Sequence, residues 1–401
     1  VTINTVAGDD VINLAEHSQA HIISGTATGA AAGDKVTVTI GGQTYTTVLD
    51  AAGNWSVGVP ASVISGLSDG SVTVRASVTD AAGNTGTGTH NVTVDTGLPS
   101  VSFNAISDDN VLNAVEKGQD LSVSGTSANL AEGTVVTVTL NGKNYTATTA
   151  ADGTWSLTVP AADLAGLGQA NYTLNATATN GVGNGVSNTA NLLVDTALPT
   201  VTINTVAGDN VINAAEVAAG QTLSGTVANA EAGNTVTVTI GGNRYTATVQ
   251  NDLTWSVNVP SDVLTALGNG SLSVTATVTN GHGNTGTGER EIAIDANLPG
   301  LRVDTVAGDN VVNSIEHTQN LIVSGTSDGL AAGTTLTVTV NGKTYAASVL
   351  ADGSWSAAIP AADVAAFAAG TVTVTVAGQS AAGNPVTISH DVTVDLAAVA
   401  I

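Results

Sequence analysis

One polar motif returns four times in the chain, at an interval of 100 residues. Its first copy is Asp9, Asp10, Asn13 and Glu16. The others are Asp109, Asn110, Asn113 and Glu116, then Asp209, Asn210, Asn213 and Glu216, then Asp309, Asn310, Asn313 and Glu316. A second acidic position keeps the same phase: Asp95, Asp195, Asp295 and Asp395. A third polar element is the turn from Asp80 to Asn84, matched by Asn180 to Asn184, Asn280 to Asn284 and Ser380 to Asn384. Carboxylates, amide oxygens and carbonyls are the ligands of hard cations, and Ca2+ takes about six to eight of them. The same residues have a second reading. An Asn or Asp followed three positions later by Glu is also a turn and helix-capping pattern. The residue types alone leave both readings open. In the turn, Asp80 gives way to Asn or Ser in the later copies, which weakens it as a source of cation ligands.

Other chemistry finds little support. The chain has no cysteine, which excludes thiolate metal sites, iron–sulfur clusters and cysteine nucleophiles. His17 and His21 are spaced to share a helical face, but the second copy has Lys117 and Leu121 there, so a surface role is the better reading. The Thr-Gly-Thr-Gly-Thr run at 85–89 resembles a flat ice-binding array, yet it is not kept at 185–189 and reads better as the entry to an edge strand. No Ser-His-Asp order recurs in phase, and there is no phosphate loop. The chain reads as a non-enzyme. Its 8 basic residues against 32 acidic ones, a net charge of -24, repel nucleic acid and anionic membranes. No apolar run approaches the ~20 residues of a membrane span. No methionine and no export leader are present, so the chain is expected to be a fragment whose export signal lies elsewhere.

The elements that must position the acidic motif follow from the repeat. Val1, Val101, Val201 and Leu301 open the four copies, and Trp55, Trp155, Trp255 and Trp355 are the only tryptophans. Tyr45, Tyr145, Tyr245, Tyr345 and Pro60, Pro160, Pro260, Pro360 keep the phase. The expected domains are 1–98, 99–198, 199–298 and 299–396. Within a copy the apolar residues alternate with polar ones: Val36, Val38, Ile40; Trp55, Val57, Val59; Val72, Val74, Ala76, Val78; Val92, Val94. The pattern predicts strands near 1–6, 20–26, 35–41, 44–49, 54–59, 71–79 and 86–95, with one helical turn between Ala61 and Leu67. About seven strands in 100 residues predict an all-β, immunoglobulin-like sandwich. The single Trp, in an alternating run, reads as a plug between the sheets rather than a sugar-stacking platform.

Topology then says which polar groups meet. The first and last strands run toward the same end of the domain, so Asp9, Asn13, Glu16 and Asp95 are expected at one pole. The 80–84 turn lies at the other pole. Across a junction, the acidic loop of one domain therefore faces the 180–184 turn of the next. The linkers, Asp95 to Pro99, Asp195 to Pro199 and Asp295 to Pro299, are short and end in proline. Four domains in line would form an elongated rod on the order of 150 Å. The end, Asp395 to Ile401, departs from the linker pattern and reads as the start of a different segment.

The motif set Asp152-Gly153-Thr154-Trp155-Ser156, Pro160, Asp80-Ala81-Ala82-Gly83-Asn84 and Val94-Asp95-Thr96 with Pro99 resembles the bacterial Ig-like repeats of giant, Bap-type biofilm-associated adhesins of Gram-negative bacteria. The resemblance covers all four copies. It implies an Ig-like fold, type I secretion, retention at the extracellular cell surface, and a stalk role in adhesion and biofilm formation. It also implies structural Ca2+ near domain junctions, with the linker aspartates Asp95, Asp195 and Asp295 as the carried-over ligands. The part of Asp9, Asn13 and Glu16 rests on the topology argument instead. Two function classes remain: a monomeric rod projecting a distal binding region to an unknown receptor, and binding modules that contact glycans or neighbouring adhesin chains. Aromatic residues make up 3% of the chain, which favours the rod. Pairing of exposed sheet edges between chains is a further route to cohesion.

Overall fold

A computed structural model describes residues 1–397. The last residues of the divergent end, 398–401, lie outside the described residues. The chain divides into two compact units, Val1–Ala197 and Leu198–Ile401, and each holds two β-sandwiches. In the first sandwich the elements are β1 (Thr2–Ile3), β2 (Val11–Asn13), α1 (Leu14–His17), β3 (His21–Thr26), β4 (Lys35–Ile40), β5 (Gln43–Val48), β6 (Asn54–Val59), α2 (Ala61–Ile64), β7 (Gly70–Thr79) and β8 (Thr85–Asp95). One sheet has the order β1-β3-β6 and the other β2-β8-β7-β4-β5. The other three sandwiches repeat this arrangement of a three-stranded and a five-stranded sheet.

The count is eight strands rather than seven. The segment expected as one strand over 1–6 ends at Ile3, and the chain crosses to the other sheet before β2. Backbone geometry makes the crossing: Ala7, Gly8 and Asp10 all have positive φ, of 55°, 100° and 65°. Asp10 closes the turn twice, its N–H donating to the Val6 carbonyl and its Oδ1 accepting from Val6 N at 2.8 Å. Strand β2 then pairs in parallel with β8, which carries the chain to the pole where the domain ends.

Alternation fills each core. Val36, Val38 and Ile40 on β4 are buried, and the buried Val74, Ala76 and Val78 of β7 lie beside them on the same face of the sheet. Trp55, Trp155, Trp255 and Trp355 are between 1% and 3% exposed, so each is a plug between the sheets and no ring is free to stack on a sugar. Gly25 lies directly across from Trp55 in the β3–β6 register. A Cβ at Gly25 would sit 2.0 Å from the Thr2 carbonyl oxygen and 2.5 Å from Trp55 Cζ2. Gly125, Gly225 and Gly325 are hemmed in the same way. Every sandwich thus has a glycine where the indole and the first strand close on the backbone.

The candidate functional site at the domain junction

The residues singled out in the sequence separate into two groups. Asn13 and Asp95 are register partners at the ends of β2 and β8, and Asn213 with Asp295 and Asn313 with Asp395 repeat this. In the second domain the pairing stops one step earlier, at Leu112 with Val194. Glu16 joins this group through α1. Its Oε2 accepts from Asn13 N at 3.0 Å, while Asn13 Oδ1 accepts from Ala15 N and Glu16 N at 3.0 and 3.1 Å. This is a reciprocal cap, and it recurs at Asn113/Glu116, Asn213/Glu216 and Asn313/Glu316. Capping is therefore what these residues do in the protein-only structure. Asp95 Oδ1 accepts from Gly97 N at 3.0 Å and turns the chain into the linker; Asp195, Asp295 and Asp395 hold the backbone N–H two residues on in the same way.

The second group lies away from the pole. Asp10 is three residues before Asn13 on the same path, about 10 Å at ~3.3 Å per residue. Its Oδ1 meets His90 Nε2 at 2.6 Å, and this bond holds the Asp10 carboxyl below the ordinary carboxylate range. Asp9, Asp109, Asp209 and Asp309 each accept from the backbone N–H two residues on, at 2.9 to 3.0 Å, and belong to the crossover turn. Asn110, Asn210 and Asn310 also close the crossover, accepting from Ile106 N, Val206 N and Val306 N. Arg290 and His390 stand beside Asn210 and Asn310 as His90 stands beside Asp10. The structure thus brings Asn13, Glu16 and Asp95 together at the pole and leaves Asp9 and Asp10 lower on the domain.

The expected meeting with the next domain's turn is present inside each unit. In the first unit, Leu14 N at the start of α1 donates to Asn184 Oδ1 at 2.8 Å. Asn184 Nδ2 donates to the Asp95 carbonyl at 2.9 Å and to the Gly97 carbonyl at 3.2 Å. In the second unit, Ala214 N donates to Asn384 Oδ1 and Asn384 Nδ2 donates to the Asp295 carbonyl, both at 2.7 Å. Asn184 is 3% exposed and Asn384 is fully buried. An amide suits this position because one side chain both accepts and donates.

Several positions were not flagged by the sequence. Asp69 Oδ1 accepts from Thr96 N and Thr96 Oγ1 at 3.0 and 2.8 Å, and Asn269 Oδ1 accepts from Ala296 N at 2.9 Å. Asn129 Nδ2 holds the Leu98 carbonyl at 3.1 Å. These residues fix the linkers. Their only signal was a polar residue before a strand, which is too common to single out. His17 and His21 form no metal pair: His17 Nε2 donates to the Leu67 carbonyl and His21 Nε2 to the Glu16 carbonyl, each at 2.9 Å. Lys117 and His317 serve the corresponding carbonyls of Leu167 and Phe367.

Among the described residues, no group of three or more acidic or histidine side chains converges as a metal site. None of the helices there is long and apolar enough to cross a membrane. The pole still fits a hard cation in part. It offers two carboxylates and the amide oxygen of Asn13, and the bonds above use one oxygen of Asp95 and one of Glu16. Two carboxylates fall short of a full shell, so carbonyls and water would have to complete it.

The family model described as a bacterial Ig-like domain matches residues 13–96. The chain is 36% identical to a solved adhesin described as Ca2+-stabilized, which helps an Antarctic bacterium reach out and bind ice; 98% of each chain is covered, with a TM-score of 0.42. It is 30% identical to a tetra-tandem repeat from the extending region of a large adhesion protein, covering 96% of this chain and 99% of that one, with a TM-score of 0.39. It is also 30% identical to part of a 1.5-MDa bacterial ice-binding adhesin, covering 76% of this chain and 100% of that one, with a TM-score of 0.40. No curated protein matches the chain. Kinship rests here on identity over nearly the full length of both chains, not on the superposition. The chain belongs to the bacterial Ig-like domain family, as tandem repeats of the kind found in large bacterial adhesins.

Proposed function

We propose that the chain is a spacer in the extracellular stalk of a large bacterial adhesin, holding a distal binding region away from the cell surface and serving adhesion and biofilm growth after type I secretion. The observation that carries this reading is the junction itself. Two sandwiches within one unit are joined by a short linker and a buried amide contact rather than by a free tether. A joint of that kind transmits position from one domain to the next. The buried tryptophans cannot serve as a platform for a glycan, so the repeats serve better as spacers than as lectin modules. The domain borders that fit this role are 1–98, 99–198, 199–298 and 299–396, and the spacer acts as a monomer.

We further propose that Ca2+ stiffens the junctions. Support comes from the pair of carboxylates at the pole and from the relative described as Ca2+-stabilized. Glu16 with Asp95, and their counterparts Glu116 with Asp195, Glu216 with Asp295 and Glu316 with Asp395, would hold the ion, with Asn13, Asn113, Asn213 and Asn313 beside them. Bound there, the ion would neutralise the paired carboxylates and cross-link the end of β8 to the cap of α1. The test is thermal melting and small-angle scattering of the chain in EDTA and in Ca2+. A ligand at 100 times its Kd adds about 2.7 kcal/mol to the folded state, so Tm should rise and the particle lengthen. Asp95→Ala, Asp195→Ala and Asp295→Ala together should abolish both effects. Identical curves in the two buffers would remove calcium from the account and leave the spacer reading standing.

A further inference from the structure

The four-residue step from position 80 to position 84 occurs twice in the first domain with the same sequence, Asp50-Ala51-Ala52-Gly53-Asn54 and Asp80-Ala81-Ala82-Gly83-Asn84. Both turns have the same bonds. Asp50 Oδ1 accepts from Ala52 N and Asn54 N at 2.9 and 2.8 Å, and Asp80 Oδ1 accepts from Ala82 N and Asn84 N at 2.9 and 2.8 Å. The second carboxylate oxygen then takes the amide of the Asn: Asn54 Nδ2 to Asp50 Oδ2 at 3.1 Å, and Asn84 Nδ2 to Asp80 Oδ2 at 2.9 Å. Each turn closes on itself. Both stand at the same pole of the domain, since Val48 and Thr79 are each register partners of Lys35, and in both the Asp carboxylate makes the closure.

The later domains keep the backbone of this turn and change the first residue. Asn180 N donates to the Asn184 carbonyl and Gly183 N to the Asn180 carbonyl, as Asp80 and Gly83 do in the first domain. Asn180 Oδ1 still accepts from Val182 N and Asn184 N, at 3.2 and 2.8 Å. What it lacks is a second acceptor oxygen, and its own Nδ2 points instead toward the Gly97 carbonyl at 3.5 Å. Ser380 has a single Oγ, which accepts from Asn384 N at 3.2 Å. In both cases the amide four residues on reaches the preceding domain, where it meets Leu14 N and Asp95 O, or Ala214 N and Asp295 O.

We propose that the residue at the 80/180/380 position decides whether a repeat locks onto its predecessor: Asp captures the Asn amide and yields a self-closed turn, whereas Asn or Ser releases the amide to latch the joint. A repeat with Asp there joins its predecessor loosely, and one with Asn or Ser joins it tightly. The order of such repeats along a stalk then sets where it bends. The latch needs no metal, so it stands or falls separately from the calcium reading.

The experiment is amide hydrogen exchange on the whole chain, reading Leu14 N–H, in EDTA and again in Ca2+. Asn180→Asp is expected to raise the exchange rate of Leu14 by about tenfold or more, since capture takes the Asn184 amide from both the Asp95 and Gly97 carbonyls and each net hydrogen bond is worth about a factor of five. Asn180→Ser is expected to leave it within about threefold of the parent, because Ser380 supports the same latch. The core amides of Val136 and Val138, in the strand Val135–Leu140 of the second domain, report that the domain is folded. If Asn180→Asp leaves Leu14 protected, Asp does not capture the amide and the proposal fails. If Asn180→Ser exposes Leu14 as strongly as Asn180→Asp, the turn merely requires Asn and the proposal fails. A new carboxylate near Glu16 and Asp95 could also loosen the joint by repulsion, so both variants are measured at low and high salt. Exchange that returns to the parent rate in high salt assigns the effect to repulsion and overturns capture; exchange that stays fast in salt supports it.

Discussion

Truncating the latch gives the sharpest test of the joint. Asn184→Ala removes an acceptor 2.8 Å from Leu14 N and donors 2.9 and 3.2 Å from the carbonyls of Asp95 and Gly97. A net hydrogen bond contributes about 1 kcal/mol, so the three together are worth about 3 kcal/mol if the joint stays shut and dry. Opening lets water reach the three freed backbone groups, which brings the expected loss to about 2–3 kcal/mol. In hydrogen exchange that range is roughly a 30- to 150-fold faster exchange at Leu14, measured on the whole chain without metal. The cores should be untouched, because Asn184 packs at the pole and not between the sheets. Asn384→Ala removes two bonds of 2.7 Å each and should speed exchange at Ala214 by about 30-fold. Exchange within threefold of the parent at both amides would refute the reasoning, since buried amides with two or three partners would then contribute nothing to the joint.

Other outcomes follow from the same geometry. Gly25→Ala forces a methyl against the Thr2 carbonyl and Trp55, and should cost about 1–3 kcal/mol or more by overpacking, measured by urea unfolding. Trp155 Nε1 donates to the Thr126 carbonyl at 3.2 Å, whereas Trp55, Trp255 and Trp355 have no such partner, so Trp155→Phe should destabilise its domain more than Trp55→Phe does. Asn13→Ala removes the cap of α1 and should cost about 1 kcal/mol in EDTA; a larger cost in Ca2+ would show that Asn13 also serves the ion. The carboxyls of Asp50, Asp80, Asp152, Asp252 and Asp352 are all held below 3.8, that of Asp50 mainly by the Asn54 N–H and the others mainly by the side chain of the Asn, Thr or Ser that closes each turn. A depressed folded value means the stabilisation is complete above the unfolded value near 3.8 and is lost as pH falls through the folded values. Melting temperature should therefore hold as pH falls toward 4 and drop below it, with Asp50→Asn flattening part of the fall.

The repeat, the fold class and the buried tryptophans were legible because each rests on a pattern with a physical period. Val36, Val38 and Ile40 alternate because a strand has two faces, and Trp55 sits in phase with Val59. The meeting of the acidic pole with the 180–184 turn was legible from chain direction alone. The split of the first strand was not, because the crossover needs positive φ at Ala7 and Asp10 as well as at Gly8, and the one glycine marks a turn without marking a change of sheet. Nor could spacing separate Asp10 from Asn13. The two are three residues apart, yet one belongs to a turn that faces His90 and the other to a cap at the pole. The linker clamps Asp69 and Asn269 were invisible for a different reason: the contact they share is to a backbone N–H 27 residues away, which leaves no mark on side-chain type.

The choice of Asn at the latch follows from the charge around it. The chain carries -24, and each pole already holds a linker aspartate and a capping glutamate. A carboxylate reaching across the joint could serve Leu14 N but would face the carbonyls of Asp95 and Gly97 with nothing to donate. A lysine could serve the carbonyls but not the N–H. The neutral amide serves all three and adds no charge beside Glu16 and Asp95. The joint can therefore close on protein contacts alone, while a carboxylate oxygen on each acidic residue stays outside them. On this arrangement a cation would reinforce a joint that already exists, so chelation should soften the stalk without separating its domains.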